Sequence, residues 1–577
     1  MTNPLKIFEE EAKNLLNNAL EKLNLKTEIV LETPPEGKGD FAFACFPLSK
    51  IAKKAPDKIA GDIVKNIGKT ESMEKVENIG GYVNFYIDEE RLKENTVKSI
   101  LDEKEKYGCF PQKNAKIILE HTSANPTGPV HVGRARNPII GDSLARLLKA
   151  YGYNVKTEYY VNDMGKQTAI LAWGAENIKE KNDEKRENYR LVKIYQKVNK
   201  MMESDSEIEK HINQMLIKYE HGDKDVEKLV KDVCKNVLSA NEETLKKINV
   251  SVDDYVYEST FTKNRSVDEI IEKLKKSEYC KNENGACYLD LEKFGIHGRD
   301  TRFFFTRKDG TSLYPTRDLA YHLHKFKNSD IAINVLGEDH KLETEQLGIA
   351  LSLLGVKKKP EIVFYSFVSL PEGKMSTRKG TVVYLDDLVD EAVERAYKEV
   401  RKRRKGEQVL REFKKISELE MKRIAKIIGA GAVRYNIIRV QNEKQIIFKW
   451  EDALNFEGNS APFIQYAHAR ACSILGKSKG YKKFDVKFLN DETEIRLIKT
   501  LAGFPNMVEE SAVSRKPYKI ASYVFELASC FNQFYRDMPV LKAEENERNA
   551  RLAIVDCFRI VLRNALNLLG IDAPEEM

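Results

Sequence analysis

Residues 116–161 read KIILEHTSANPTGPVHVGRARNPIIGDSLARLLKAYGYNVKTEYYV, and this stretch decides the fold. Ile117, Ile118 and Leu119 make a short unbroken apolar run, as a strand buried on both faces requires. Proline and glycine then punctuate a loop over 122–133. Beyond it Pro138 suits a first helical turn, and Ile140, Leu144, Leu147 and Leu148 recur on one helical face that stops at Gly152. Residues 155–161 form the next strand. Strand, glycine-containing loop, helix and strand make a βαβ unit, and parallel sheets built from such units bind ligands at the carboxyl ends of their strands.

Further strands are expected at 287–291, 302–306, 331–336 and 362–370, giving an α/β class with a Rossmann-like parallel sheet over 106–395. Between 176 and about 280 the chain is polar and helical in period, with Leu191, Ile194, Val198 and Met201 on one face, so it reads as a helical insertion. Residues 1–105 combine an amphipathic helix (Leu15, Leu16, Ala19, Leu20, Leu23), a Gly37–Lys38–Gly39–Asp40 turn, a helix at 51–67 and a strand at 82–87, a small α+β domain. Beyond about Val393 no strand pattern is expected, and helical stripes at 461–475, 521–535 and 551–569 make 396–577 an all-α domain.

Composition excludes several classes. With 577 residues, 42% hydrophobic and 32% charged, the chain can bury several cores. Its start is acidic where a signal peptide would be apolar, and no long apolar run exists, so secretion and membrane spanning are not expected. The eight cysteines form no C-x-x-C pair; Cys280 and Cys287 are too widely spaced for a zinc knuckle, so reduced thiols, no structural zinc and no other metal site are expected. A net charge of +7 is only mildly basic, and leaves nucleic-acid binding undecided.

Two loops carry chemistry. In the first, His131, Gly133 and Arg134 stand at the start of a helix, where free N–H groups, a close backbone approach and two donors suit a phosphoryl oxygen. In the second, Lys374, Met375, Ser376, Arg378 and Lys379 lie between Gly373 and Gly380 just after an apolar strand, and cations on such a loop can close over a leaving pyrophosphate. Tyr314 and Asp318 stand four apart on one helical face; a carboxylate can grip a guanidinium through paired hydrogen bonds while a tyrosine offers a ring or hydroxyl.

Together His131-Val132-Gly133-Arg134 and Lys374-Met375-Ser376-Thr377-Arg378 resemble the HIGH and KMSKS motifs of class I aminoacyl-tRNA synthetases. The order and spacing of residues 120–126, 160–167, 314–321 and 465–470 resemble the arginyl-tRNA synthetase family along almost the whole chain. The resemblance implies ATP, brought with Mg2+ as substrate, bound by His131, Gly133, Arg134, Lys374, Met375, Ser376 and Arg378, with His131, Arg134 and Lys374 catalytic. It implies an arginine pocket of Glu120, Tyr314 and Asp318, with Ser123 and Asn125 toward the amino-acid end and Asp339 as a further contact. It further implies adenylate formation that waits for tRNA, no prosthetic group, an N-terminal module on the outer corner of tRNA, a C-terminal anticodon-binding domain, and a cytoplasmic monomer.

Two positions depart from the motifs. Arg134 stands where a second histidine is usual, and Thr377 where a second lysine is usual, so either Arg378 or Lys379 takes that role. For RNA, Phe531, Phe534 and Tyr535 are either stacking platforms or core, and Arg401 and Arg403, in a run of five basic residues, are either phosphate contacts or a solvated face. A small nucleotidylyltransferase and a catalytically silent RNA-binding paralogue are the competing functions. The first would need neither the helical domain nor the Tyr314/Asp318 pair.

Overall fold

A computed structural model describes residues 3–35, 37–179, 186–298, 301–371, 383–409, 417–478, 480–481 and 483–577. Lys374, Met375, Ser376, Arg378 and Lys379 lie outside the described residues.

The central sheet has five parallel strands in the spatial order Glu361–Tyr365, Ile331–Gly337, Lys116–Glu120, Asn154–Val161 and Asp254–Tyr257. The middle strand is the expected apolar run, with Ile117, Ile118 and Leu119 buried. The helix after the first loop spans Arg136–Ala150 and buries Ile139, Ile140, Leu144, Leu147 and Leu148 against the sheet.

The insertion reading needs one correction. Three helices, Glu187–Ser204, Ser206–Glu220 and Lys224–Lys247, occupy most of it, but Asp254–Tyr257 within the same range joins the main sheet. This edge strand is half-buried at all four residues, so it shows none of the alternation that marks a strand. The expected strands near 287 and 302 exist as Ala286–Asp290 and Arg302–Phe304, yet with Cys280–Glu283 they form a separate antiparallel sheet.

The N-terminal domain packs two helices, Lys6–Lys22 and Pro56–Asn66, on a four-stranded antiparallel sheet. Gly39 is required in its turn: φ is +97°, and a Cβ there would stand 2.8 Å from the carbonyl oxygen of Phe85. The helix expected over 51–67 is two, Ser49–Ala52 and Pro56–Asn66, separated at Lys53 by a left-handed φ of 51°.

The helix Leu385–Val409 runs through the boundary read at 395, and its partner Glu418–Ile438 packs against Arg136–Ala150, so the apolar core continues from the sheet into the helical domain. Beyond residue 393 there is also a strand pair that the sequence does not announce. Ile446–Ile447 pairs in parallel with Val368–Ser369, the strand that leads toward the second loop. Two residues are too few to show a period.

Candidate active site

A cleft of about 530 Å³ opens at the carboxyl ends of the parallel strands. Glu120, Ser123, Asn125, His131, Arg134, Tyr314 and Asp318 all line it, although they come from three separate stretches of chain. A cavity of about 590 Å³ at the opposite, amino ends of the strands is lined by Lys116, Asn154, Asp330 and Lys358 and, among the described residues, holds none of the expected ones.

The first loop is pinned from within. Val130 and Val132 are buried, so the backbone turns inward on both sides of His131 and leaves its ring exposed. His131 caps the short turn Val132–Arg134, its Nδ1 accepting from the N–H of Gly133 at 2.9 Å. Nδ1 is therefore an acceptor and the ring proton sits on Nε2. Burial and the neighbouring Arg134 charge both lower the His131 pKa, which keeps the ring neutral. A Cβ on Gly133 would lie 2.9 Å from His131 Nδ1, so a side chain there would displace the ring. Arg136 stiffens the base of the turn: fully buried, it donates to the carbonyls of Ser366 (3.1 Å), Lys444 (2.6 Å), Val440 (3.0 Å) and Gln441 (2.8 Å).

Across the cleft, Tyr314 and Pro315 open the helix Tyr314–Asn328, and Asp318 follows one turn on. Tyr314 is 55% exposed, free to cover a ligand. Burial raises the Asp318 pKa, but interaction with His322, with Lys325 and His340 beyond it, more than offsets this and leaves the carboxyl below its ordinary value. Glu120 sits deeper, accepting from Ser123 Oγ at 2.9 Å and from the buried Lys325 Nζ at 2.5 Å. Ser123 Oγ also accepts from the N–H of Tyr160 at 3.0 Å, and Asn125 Nδ2 donates to Gln167 at 3.1 Å. The loop bearing these residues begins with two left-handed non-glycine residues, Thr122 (φ 71°) and Ser123 (φ 34°), and the Thr122 N–H is held by Asn137 Oδ1 at 2.5 Å.

The remaining expected residues fall as follows. Asp339 faces Arg134 at 3.7 Å and His340 at 3.8 Å rather than Tyr314 and Asp318. Phe531 and Phe534 are wholly buried, Phe531 stacking on Phe558 with ring centroids 3.8 Å apart, so neither offers a face to a base. Tyr535 is 43% exposed, with the Arg470 guanidinium 4.8 Å over its ring. Arg401 and Arg403 are exposed; Arg403 pairs with Glu399 at 2.8 Å and lies 4.1 Å over Phe456.

The sequence reading missed Glu258, His322, Lys325 and Asn334. Glu258 hides in the stretch read as insertion, yet lines the cleft with Arg317 on its Oε1 at 2.7 Å. His322 and Lys325 had a legible signal, since they follow Asp318 at +4 and +7 on the same helical face.

Residues 96–450 match the family described as tRNA synthetases class I (R), catalytic domain; residues 10–87 match the arginyl tRNA synthetase N terminal domain, and 464–577 the DALR anticodon binding domain. An arginine–tRNA ligase of Methanocella arvoryzae is 46% identical over 98% of this chain and 99% of its own. That of Methanothermobacter thermautotrophicus is 45% identical over 99% of both. Among solved structures, Thermus thermophilus arginyl-tRNA synthetase superposes with a TM-score of 0.82 at 25% identity, covering 98% of this chain and 99% of that one. Similarity of this extent, reaching through all three domains and carrying one family throughout, means that the chain belongs to the arginyl-tRNA synthetases of class I.

Proposed function

We propose that the cleft joins L-arginine to ATP and then to the 3' end of tRNA(Arg), as the names of the relatives indicate for those proteins. The observation that carries this reading is the shared cleft: Tyr314 and Asp318 face His131 and Arg134 across the carboxyl ends of the sheet. Asp318 takes the guanidinium, Tyr314 covers it, and Glu120 with Ser123 and Asn125 shapes the rest of the amino-acid site. The arginine carboxylate attacks the α-phosphorus of MgATP; the bond to the β-phosphate oxygen breaks and pyrophosphate leaves. A ribose hydroxyl of tRNA then attacks the arginyl carbonyl and AMP departs.

Neutral His131 donates from Nε2 to a phosphoryl oxygen, and Arg134 neutralises charge beside it, held by Asp339. Arginine cannot titrate near neutrality as a second histidine would, but electrostatic stabilisation needs only a fixed donor. Gly133 admits the nucleotide to the backbone. Lys374, with Met375, Ser376 and Arg378, closes on the pyrophosphate. Tyr535, Arg401 and Arg403 are the remaining tRNA candidates. The enzyme works as a cytoplasmic monomer.

ATP–pyrophosphate exchange with arginine, lysine and ornithine, with and without tRNA, tests the reading. Exchange specific to arginine and dependent on tRNA is expected. Equal exchange with lysine, or none with arginine and tRNA together, overturns it.

A further inference from the structure

Three carboxylates meet at the floor of the cleft, and two already have a buried cation. Glu120 accepts from Lys325, whose side chain is 0% exposed, and Glu258 accepts from Arg317, 2% exposed. At the rim Glu343 pairs with His340 at 2.6 Å, and Asp339 faces Arg134. Asp318 differs: its side-chain partner is His322, whose Nδ1 stands 2.9 Å from the Asp318 carbonyl oxygen and 3.1 Å from its Oδ1.

The protonation of His322 follows from its neighbours. Lys325 has only donors, so its 2.8 Å contact with Asn334 must be to the amide oxygen. The amide nitrogen then points the other way and donates to His322 Nε2 at 2.8 Å. A nitrogen that accepts carries no proton, so His322 is neutral and its proton sits on Nδ1, where it is shared between the carbonyl and the carboxylate of Asp318. The lysine thus fixes the amide, the amide fixes the tautomer, and the tautomer supplies a donor without a charge.

We propose that Lys325, Asn334 and His322 are positioning residues for arginine selection: they orient Asp318 and leave it, of the three carboxylates at the floor of the described cleft, the one with no lysine or arginine bonded to it, matched to one monocationic side chain. The inference rests on the arginine reading of the cleft. Glu120, neutralised by Lys325, acts as an acceptor of fixed geometry and not as a second counter-charge. Replacing Asn334 with aspartate would reverse the logic, because a carboxylate beside Nε2 requires a proton there, and an imidazolium would cancel Asp318.

The test compares wild type with His322→Leu, His322→Asn and Asn334→Asp in tRNA-dependent exchange. His322→Leu removes the donor and should raise the arginine KM by about tenfold or more, the loss of one hydrogen bond to a charged group, with the ATP KM unchanged. Asparagine places an amide N–H near the position of Nδ1, so His322→Asn should restore most of the arginine KM. Asn334→Asp should weaken arginine while leaving inhibition by citrulline, a neutral analogue of the same shape, nearly unchanged. Nitrogen NMR of 15N-histidine enzyme, read as the difference between wild type and His322→Asn, should show Nδ1 protonated and Nε2 bare.

An unchanged arginine KM in His322→Leu, equal rises in both KM values, or a proton on Nε2 overturns the proposal. Should His322→Leu fail to fold, Asn334→Asp and the NMR signal decide alone: equal losses of arginine and citrulline binding overturn it. Wild-type exchange that arginine does not support overturns the reading of the cleft instead, so the two failures are separable.

Discussion

Arg434 donates from Nη2 to Asp142 Oδ2 at 2.7 Å, with both side chains buried, and so ties the helical domain to the helix that follows the His131 turn. The same guanidinium donates to the carbonyls of Leu569 (2.7 Å) and Ile248 (2.5 Å). One residue therefore gathers the helix Arg136–Ala150, the end of the insertion and the C-terminal segment. Removing it leaves Asp142 with Arg146 and strands two carbonyls. Arg434→Ala should destabilise the enzyme by about 3–5 kcal/mol, the usual cost of breaking a buried pair. Urea unfolding measures this, and a loss below about 1 kcal/mol would contradict the assignment.

Asp318→Ala should abolish arginine use while sparing ATP binding, since it removes the counter-charge of the guanidinium. The expected loss in kcat/KM for arginine is about a hundredfold or more, corresponding to a broken charged hydrogen-bond pair. Steady-state kinetics with each substrate varied in turn give the answer. A normal arginine KM and turnover in this variant would be incompatible with the pocket.

Two buried histidines make stability depend on pH. Burial lowers His121 and His468 from the ordinary 6.5 to about 4, outweighing nearby carboxylates in the first case and the Pro574 carbonyl in the second. Each must charge in the unfolded chain before it can charge in the folded one. Their contribution is thus complete above pH 6.5 and is lost as pH falls from 6.5 toward 4, by roughly 3 kcal/mol for each histidine. His468→Asn keeps an amide N–H for the Pro574 carbonyl and should flatten this acid limb by the equivalent of one proton. Unfolding free energies across that range provide the comparison; a slope like that of the wild type would refute the account.

Adjacent aromatics on the helix Tyr518–Asp537 should behave oppositely. Phe531→Ala opens a cavity beside Phe558 and should cost about 3–5 kcal/mol of stability. Tyr535→Ala should leave stability within about 0.5 kcal/mol and raise the KM for tRNA, because one stacked base contributes about 1–3 kcal/mol. Thermal unfolding and aminoacylation kinetics separate the two, and a tRNA KM equal to wild type would remove Tyr535 from the RNA surface.

The contrast between Phe531 and Tyr535 also shows where sequence reading stops. Helical spacing puts 531, 534 and 535 on neighbouring positions, but only the packed partner helix, Glu545–Leu568, decides which edge of that stripe is covered. The βαβ unit over 116–161 was legible because its apolar runs and its punctuated loop are local, and so was the choice of His131, Tyr314 and Asp318, which the fold brings to one cleft. Asp254–Tyr257 was not, since an edge strand half-buried throughout carries no period. Nor was Asn334, whose contacts with Lys325 and His322 join a strand to a helix rather than neighbours in the chain. Asp339, read as a further substrate contact, stands in the turn after the strand Ile331–Gly337 with its carboxylate 3.7 Å from Arg134, a pairing that only the folded chain reveals.

The pairing of Val368–Ser369 with Ile446–Ile447 has a geometric consequence for the segment that carries Lys374. Its near end is moored to the helical side, by the Phe448 N–H on the Ser369 carbonyl at 2.9 Å. Its far end is moored to the turn that bears His131, by the Val132 N–H on the Val383 carbonyl at 3.0 Å and the Leu385 N–H on the Val130 carbonyl at 2.8 Å. The described residues on either side of Lys374 are thus held by backbone hydrogen bonds, on one side to the strand pair and on the other to the His131 turn.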